Sequence, residues 1–99
     1  MAKLVRDRIP EIIRSQGKKC KTRILTDEEY RICLHEKLDE ELAEFHIDQN
    51  LEELADLMEV ILAAVTDLGY TVEDLERTRV EKASKRGGFS GKVYLVDVE

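Results

Sequence analysis

The sequence predicts a mainly α-helical protein, an antiparallel helical bundle with a small two-stranded β patch from residues near 22–25 and 92–98. Three observations predict it. The 99-residue chain has one proline, five glycines and few aromatic residues, which suits helices better than a sandwich or barrel. Charged residues make up 38% and hydrophobic residues 42%, enough for a core beneath long solvent-facing helices. Capping signatures precede the long apolar-periodic runs. The length allows one domain, residues 1–99, and no second core. A domain this small buries only about 60–65% of its unfolded surface.

The elements follow in order. "RDRIPEIIRSQGKK" (residues 6–19) carries Pro10 early, where a first turn tolerates it, and Gly17 as a stop, so a short first helix is expected. "CKTRIL" (20–25) is brief, and Thr22, Ile24 and Leu25 suit a strand. The second helix starts at Thr26 or Asp27 as N-cap, with acids in its first turn. The third starts at Asn50 and ends near Gly69. The fourth opens with Thr71 and Asp74 in a capping box and stops at Gly87-Gly88. "KVYLVDVE" (92–99) is β-rich and can pair with "TRIL", although two strands alone are marginal without a helix to pack on. The second and third helices are each roughly 30 Å long. The few residues joining them make them antiparallel neighbours.

A net charge of −6 argues against binding a nucleic-acid polymer, whose phosphates require a basic face. No stretch approaches the roughly 20 apolar residues that span a bilayer, and no signal segment precedes the first helix. Cys20 and Cys33 stand in no metal or disulfide spacing. The expectation is a soluble, cytoplasmic protein with reduced thiols and no membrane partner.

The chain crowds carboxylates beside two apolar helical faces. At about 100° per residue, Lys37, Glu40, Glu41 and Glu44 share one face of the second helix, beside the apolar stripe of Leu34, Leu38, Leu42 and Phe45. On the third helix Glu53 and Asp56 lie at one edge of a face made by Leu54, Leu57, Val60, Ile61 and Ala64. Both acid pairs lie at comparable distances from the turn, so they can converge at the margin of the core. Two like charges 4 Å apart repel by about 1 kcal/mol in water and about 4 kcal/mol at an effective dielectric of 20. A hard divalent cation reverses that balance, and carboxylates without His or Cys point to Mg²⁺ or Mn²⁺ over Zn²⁺. His35 and His46 lie about 16 Å apart along the second helix, so they cannot share an ion. Acidic helices also produce such spacings by chance. The short turn and the core-edge placement single these out.

"EELAEF" (40–45) and "EELADLMEV" (52–60) together resemble the metal-binding signature of the MazG-like all-alpha nucleoside triphosphate pyrophosphatases, EExxE and ExxD on adjacent helices. "KLVRDRIPEII" (3–13) and "EKASKRGGFSGKVYL" (81–95) are similar to the short single-domain branch of that superfamily, so the resemblance covers nearly the whole chain. It implies a Mg²⁺-dependent hydrolase that splits a nucleoside triphosphate between its α- and β-phosphates, releasing a monophosphate and pyrophosphate. Carried over, the metal ligands fall on Glu41, Glu44, Glu53 and Asp56. Glu40 matches the leading acid. It either orients or deprotonates the attacking water, or is a solvated or supporting residue. One departure is the short stretch Phe45–Glu52 between the halves, which relatives usually carry longer.

Phosphate binding needs local positive charge. Lys37 either pairs with Glu41 at i,i+4 or contacts phosphate. Lys82 and Arg86 either complement the dipole at the end of the fourth helix or bind phosphate, and the resemblance favours the second. Lys3 and Arg6 are either solvated or substrate-binding. The third helix's apolar face looks larger than one chain covers, so a homodimer is expected. The rival reading is a non-catalytic acidic module for dimerisation or docking. A nearer alternative is a relative that hydrolyses phosphoribosyl-ATP.

Overall fold

The computed structural model describes residues 2–99. Among them are four helices: α1 (Ile9–Ser15), α2 (Asp27–Asp48), α3 (Leu51–Asp67) and α4 (Val72–Arg86). The mainly helical expectation holds. Pro10 lies in the first turn of α1, where its missing N–H has no helical partner to lose.

Capping sets the register of the other three. Thr26 is the N-cap of α2: its hydroxyl accepts from the Glu29 amide at 3.2 Å, while the Glu29 carboxylate accepts from the Thr26 amide at 3.0 Å. Arg23 locks this box from outside, with guanidinium contacts of 3.0 and 2.9 Å to Glu29. Those donors hold the Glu29 carboxyl down at about 2. Thr71 and Asp74 form the same box at the start of α4. Between α2 and α3 only Gln49 and Asn50 intervene. Gln49 turns the chain in the left-handed region at φ 48°, closing α2 as its C-cap. Asn50 caps α3 by accepting from the Glu53 amide at 2.9 Å.

The turn makes α2 and α3 an antiparallel hairpin, which holds most of the contacts between helices. α4 leans on α3 alone, and α1 contacts no other helix. At the open end of the hairpin, Arg31 near the start of α2 donates to Asp67 at the end of α3, at 3.0 Å. Of the expected α2 stripe, Leu34 is buried at 3% exposure, Leu38 and Phe45 are half-buried, and Leu42 is exposed. On α3, Leu57, Val60, Ile61 and Ala64 are half-buried and Leu54 is exposed.

Leu34 is the one buried hydrophobic residue among those described. The chain is elongated, 61 × 31 × 22 Å, with a radius of gyration of 17.7 Å. A compact chain of this length measures about 13 Å.

The expected β patch is absent: no strand occurs among the described residues, and neither 22–25 nor 92–98 joins a ladder. The physical reason is the lack of a surface to pack on. Ile24 is 94% exposed and Val93 92%, so neither segment packs on a helix of its own chain. No helix among the described residues is long and apolar enough to cross a membrane.

Candidate metal centre

The carboxylates gather where α2 ends and α3 begins. Glu41, Glu44 and Asp48 descend the last turns of α2, and Glu53 and Asp56 occupy the first turns of α3. The two-residue turn brings these stretches side by side. One oxygen from each of Glu41, Glu53 and Asp56 lies within 4.8 Å of the others, and the same is true of Glu44, Asp48 and Glu53. Glu53 belongs to both groups. Its position is fixed from below, because its own amide is the one that Asn50 caps.

The local electrostatics are unbalanced. Partial burial, followed by the charges of Asp48, Asp56, Glu44 and Glu41, pushes the Glu53 carboxyl above the usual glutamate range. Glu53 itself sits in the first turn of α3, where the helix dipole favours an anion. Asp48 ends α2, where the dipole opposes one. The fold therefore places a negative charge at the wrong end of α2, beside Glu44 and Glu53.

Two cations reach the cluster. Lys37 Nζ lies 3.2 Å from Glu40 Oε1 and 3.6 Å from Glu41 Oε1. The side chains of Lys37 and Glu41 are only 16% and 13% exposed, so this pair lies at the core margin. Arg6, from the segment before α1, donates to Asp56 Oδ1 at 2.7 Å. Glu44 and Asp48 are exposed and belong to no ion pair among the described residues.

The donor set fits a hard cation. Metal–oxygen distances of 2.0–2.1 Å place neighbouring ligands on an octahedral ion about 2.9 Å apart and opposite ones about 4.2 Å apart. Small side-chain rotations bring oxygens already within 4.8 Å to those spacings. The absence of sulfur or imidazole suits Mg²⁺ or Mn²⁺.

Of the four ligands expected from the sequence, Glu53 is near Glu41 and Asp56 in one group and near Glu44, with Asp48, in the other, and Glu40 contacts Lys37. Arg6 joins the cluster. Lys3, Lys82 and Arg86 are exposed, and no hydrogen bond or ion pair links them to the carboxylates among the described residues. Asp48 is the residue that sequence reasoning missed. Its signal was present: it lies four residues after Glu44, one turn further along the same face.

Beside the acids, α3 carries an apolar groove of about 420 Å³ lined by Leu51, Leu54, Ala55, Leu57, Met58 and Ile61. Met58 is half exposed and Leu51 nearly fully so.

No protein-family profile matches the chain, and no solved structure matches it. A protein of Mycolicibacterium smegmatis, described as uncharacterized, is 59% identical over 44 residues. That match covers 44% of this chain and 45% of the relative, so the chain matches less than half of that protein's length.

Proposed function

We propose that the chain is a Mg²⁺-dependent nucleoside triphosphate pyrophosphohydrolase that cleaves the α–β phosphate bond to give a monophosphate and pyrophosphate. The observation that carries the reading is the convergence on Glu53 of two carboxylate groups from α2 and α3, at a site whose electrostatics call for a cation. The motif resemblance supplies the reaction class.

In this reading Glu41, Glu44, Glu53 and Asp56 hold the ion, with Asp48 alongside. When bound there, Mg²⁺, or Mn²⁺ in its place, would supply polarisation of the phosphoryl group, a more acidic water and charge compensation for the leaving pyrophosphate. Glu40 adjoins Glu41 and accepts the proton of the attacking water, while Lys37 keeps both carboxylates oriented. Substitution at phosphorus depends on positioning and electrostatics, so no protein nucleophile is required. Lys3, Arg6, Lys37, Lys82 and Arg86 supply the positive charge that a triphosphate needs on a chain of net charge −6.

The chain works as a homodimer in this proposal, a second copy covering the α3 groove at Leu51, Leu54 and Met58. The sparse core supports this, because a lone hairpin leaves that face wet. A cytoplasmic setting agrees with Cys20 and Cys33 both being free thiols. Clearing noncanonical nucleotides is the role proposed for the reaction, with phosphoribosyl-ATP as the rival substrate.

A second reading has its own observation. Lys37 already neutralises Glu41 and Arg6 already neutralises Asp56, which is what an acidic interaction module without metal would need. Melting with and without millimolar Mg²⁺ or Mn²⁺ separates the two. A ligand that binds only the native state raises stability by about RT ln(1 + [L]/Kd). No metal-specific rise beyond a salt-matched control would favour the module.

A further inference from the structure

The chain exposes far more surface than a compact monomer of its mass. It exposes 9189 Å², whereas a compact 11.4 kDa monomer exposes about 5,800 Å². The excess of about 3,400 Å² per chain is larger than the 1,000–2,500 Å² that each partner of an obligate dimer gives up. The α3 groove accounts for only part of it.

Much of the rest lies in two segments outside the helices. In the C-terminal segment, Val93, Tyr94, Leu95, Val96 and Val98 are all exposed, with Asp97 and Glu99 among them. No backbone hydrogen bond joins residues 93–97 to any other backbone group, and the same holds for residues 20–25. The second segment adjoins a concavity of about 570 Å³ lined by Arg14, Lys18, Lys19, Cys20 and Lys21. None of those four cations is in an ion pair among the described residues. An uncompensated basic hollow on an acidic protein calls for an acidic occupant, and the tail is both acidic and β-favouring.

The alternation of the two segments fixes how they fit. Set antiparallel with Lys21 opposite Asp97, every other pair follows by period two. One face then pairs Lys19 with Glu99 and Lys21 with Asp97, followed by Arg23 with Leu95 and Leu25 with Val93. The other pairs Cys20 with Val98, Thr22 with Val96, and Ile24 with Tyr94. Opposite charges meet at one end of the first face, and the second face pairs Thr22 and Ile24 with Val96 and Tyr94, cross-strand pairs of the kind that stabilise a sheet. A shift by one residue either way would set Lys21 against Val96 or Val98 and lose both of these charge pairs.

We propose that two copies of this chain exchange their C-terminal segments, Val93–Val98 of each pairing antiparallel with Cys20–Leu25 of the other and Asp97 and Glu99 entering its basic hollow. The exchange is reciprocal and closes on itself, as a two-fold interface must. It rests on the dimeric reading above, and it is the intermolecular form of a β patch that the single chain lacks.

The test uses full-length protein and two charge-reversed variants, Lys19→Glu with Lys21→Glu, and Asp97→Lys with Glu99→Lys. All four positions are exposed, and far-ultraviolet circular dichroism checks that the helices remain. Light scattering at low salt should give a two-chain mass for the wild type, and each variant alone should dissociate at least about tenfold more readily. Mixing the two variants should restore the dimer, because each reversed segment then meets its complement on the other chain. In a Cys33→Ser background, Val98→Cys should form a disulfide with Cys20 that links two chains, seen as a covalent dimer on a non-reducing gel. A wild-type monomer would overturn both the exchange and the dimeric reading. A wild-type dimer whose variants dimerise equally well alone would overturn the exchange and leave the dimeric reading standing. Restoration of charge pairing within one chain, with the covalent link forming only inside a monomer, would also overturn it.

Discussion

Arg6 donates to Asp56 at 2.7 Å, tying the segment ahead of α1 to the acidic edge of α3 across 50 residues of sequence. The guanidinium occupies the carboxylate that the metal reading assigns as a ligand. Both partners are substantially exposed, so the pair itself contributes at most about 1 kcal/mol to stability. Arg6→Ala should therefore leave the melting midpoint nearly unchanged. It should lower the Mg²⁺ concentration needed for half-maximal effect, since a competing cation is gone, and raise KM for the nucleotide. Unchanged metal titration would remove Arg6 from the site.

Glu53 should respond in the opposite way from an ordinary stabilising residue. Glu53→Gln removes the charge shared by both carboxylate groups, so the metal-free protein should melt higher than wild type. The rise in midpoint on adding Mg²⁺ should disappear in the same variant. Thermal scans with chelator and with excess Mg²⁺ check both outcomes.

The pH dependence of the metal-free protein carries two signatures. Glu29 is held at about 2 by Arg23 and Thr26, so its contribution is present above the unfolded value of 4.5 and is lost as pH falls toward 2. Glu53 is raised, chiefly by partial burial and then by its acidic neighbours. Its protonated form favours the fold, so stability from this group declines as pH rises past 4.5. Urea midpoints between about pH 2 and 8 should pass through a maximum on the acidic side, and Mg²⁺ should flatten the decline above it. A midpoint that rises steadily to neutrality without metal would contradict the account of Glu53.

Two structural substitutions probe the hairpin. Leu34→Ala empties the one buried hydrophobic position among the described residues and should cost about 3 kcal/mol. Asn50→Ala removes the cap that fixes the Glu53 amide and should cost about 1 kcal/mol. Asn50→Ala should also weaken Mg²⁺ binding, although Asn50 donates no metal ligand. Chemical denaturation and a metal titration of each variant read these effects.

The helices were legible because their signals are local. Thr26, Asn50 and Thr71 announce the N-termini, and acids at i,i+3, Glu41 with Glu44 and Glu53 with Asp56, mark the facing edges of α2 and α3. The convergence of those acids followed from the turn being too short for anything but an antiparallel pair. Asp48 was hidden at the helix end, where it reads as a turn residue. The Arg6–Asp56 contact was hidden because no periodicity links the N-terminal segment to α3. The β patch failed for a different reason. Val93–Val98 has strand-like residues, but strand formation depends on pairing and on a covering surface, and in the single chain this segment is neither paired nor covered.

The central claim is a metal-dependent pyrophosphohydrolase centred on the α2–α3 carboxylates. The most direct measurement is pyrophosphate release from a panel of canonical and modified nucleoside triphosphates, with Mg²⁺, with chelator, and with Glu41→Gln. The account predicts release that requires Mg²⁺ and is lost in the variant while its helical content is unchanged. Folded wild-type protein that releases no pyrophosphate from any triphosphate or from phosphoribosyl-ATP, with Mg²⁺ or Mn²⁺ present, would contradict it.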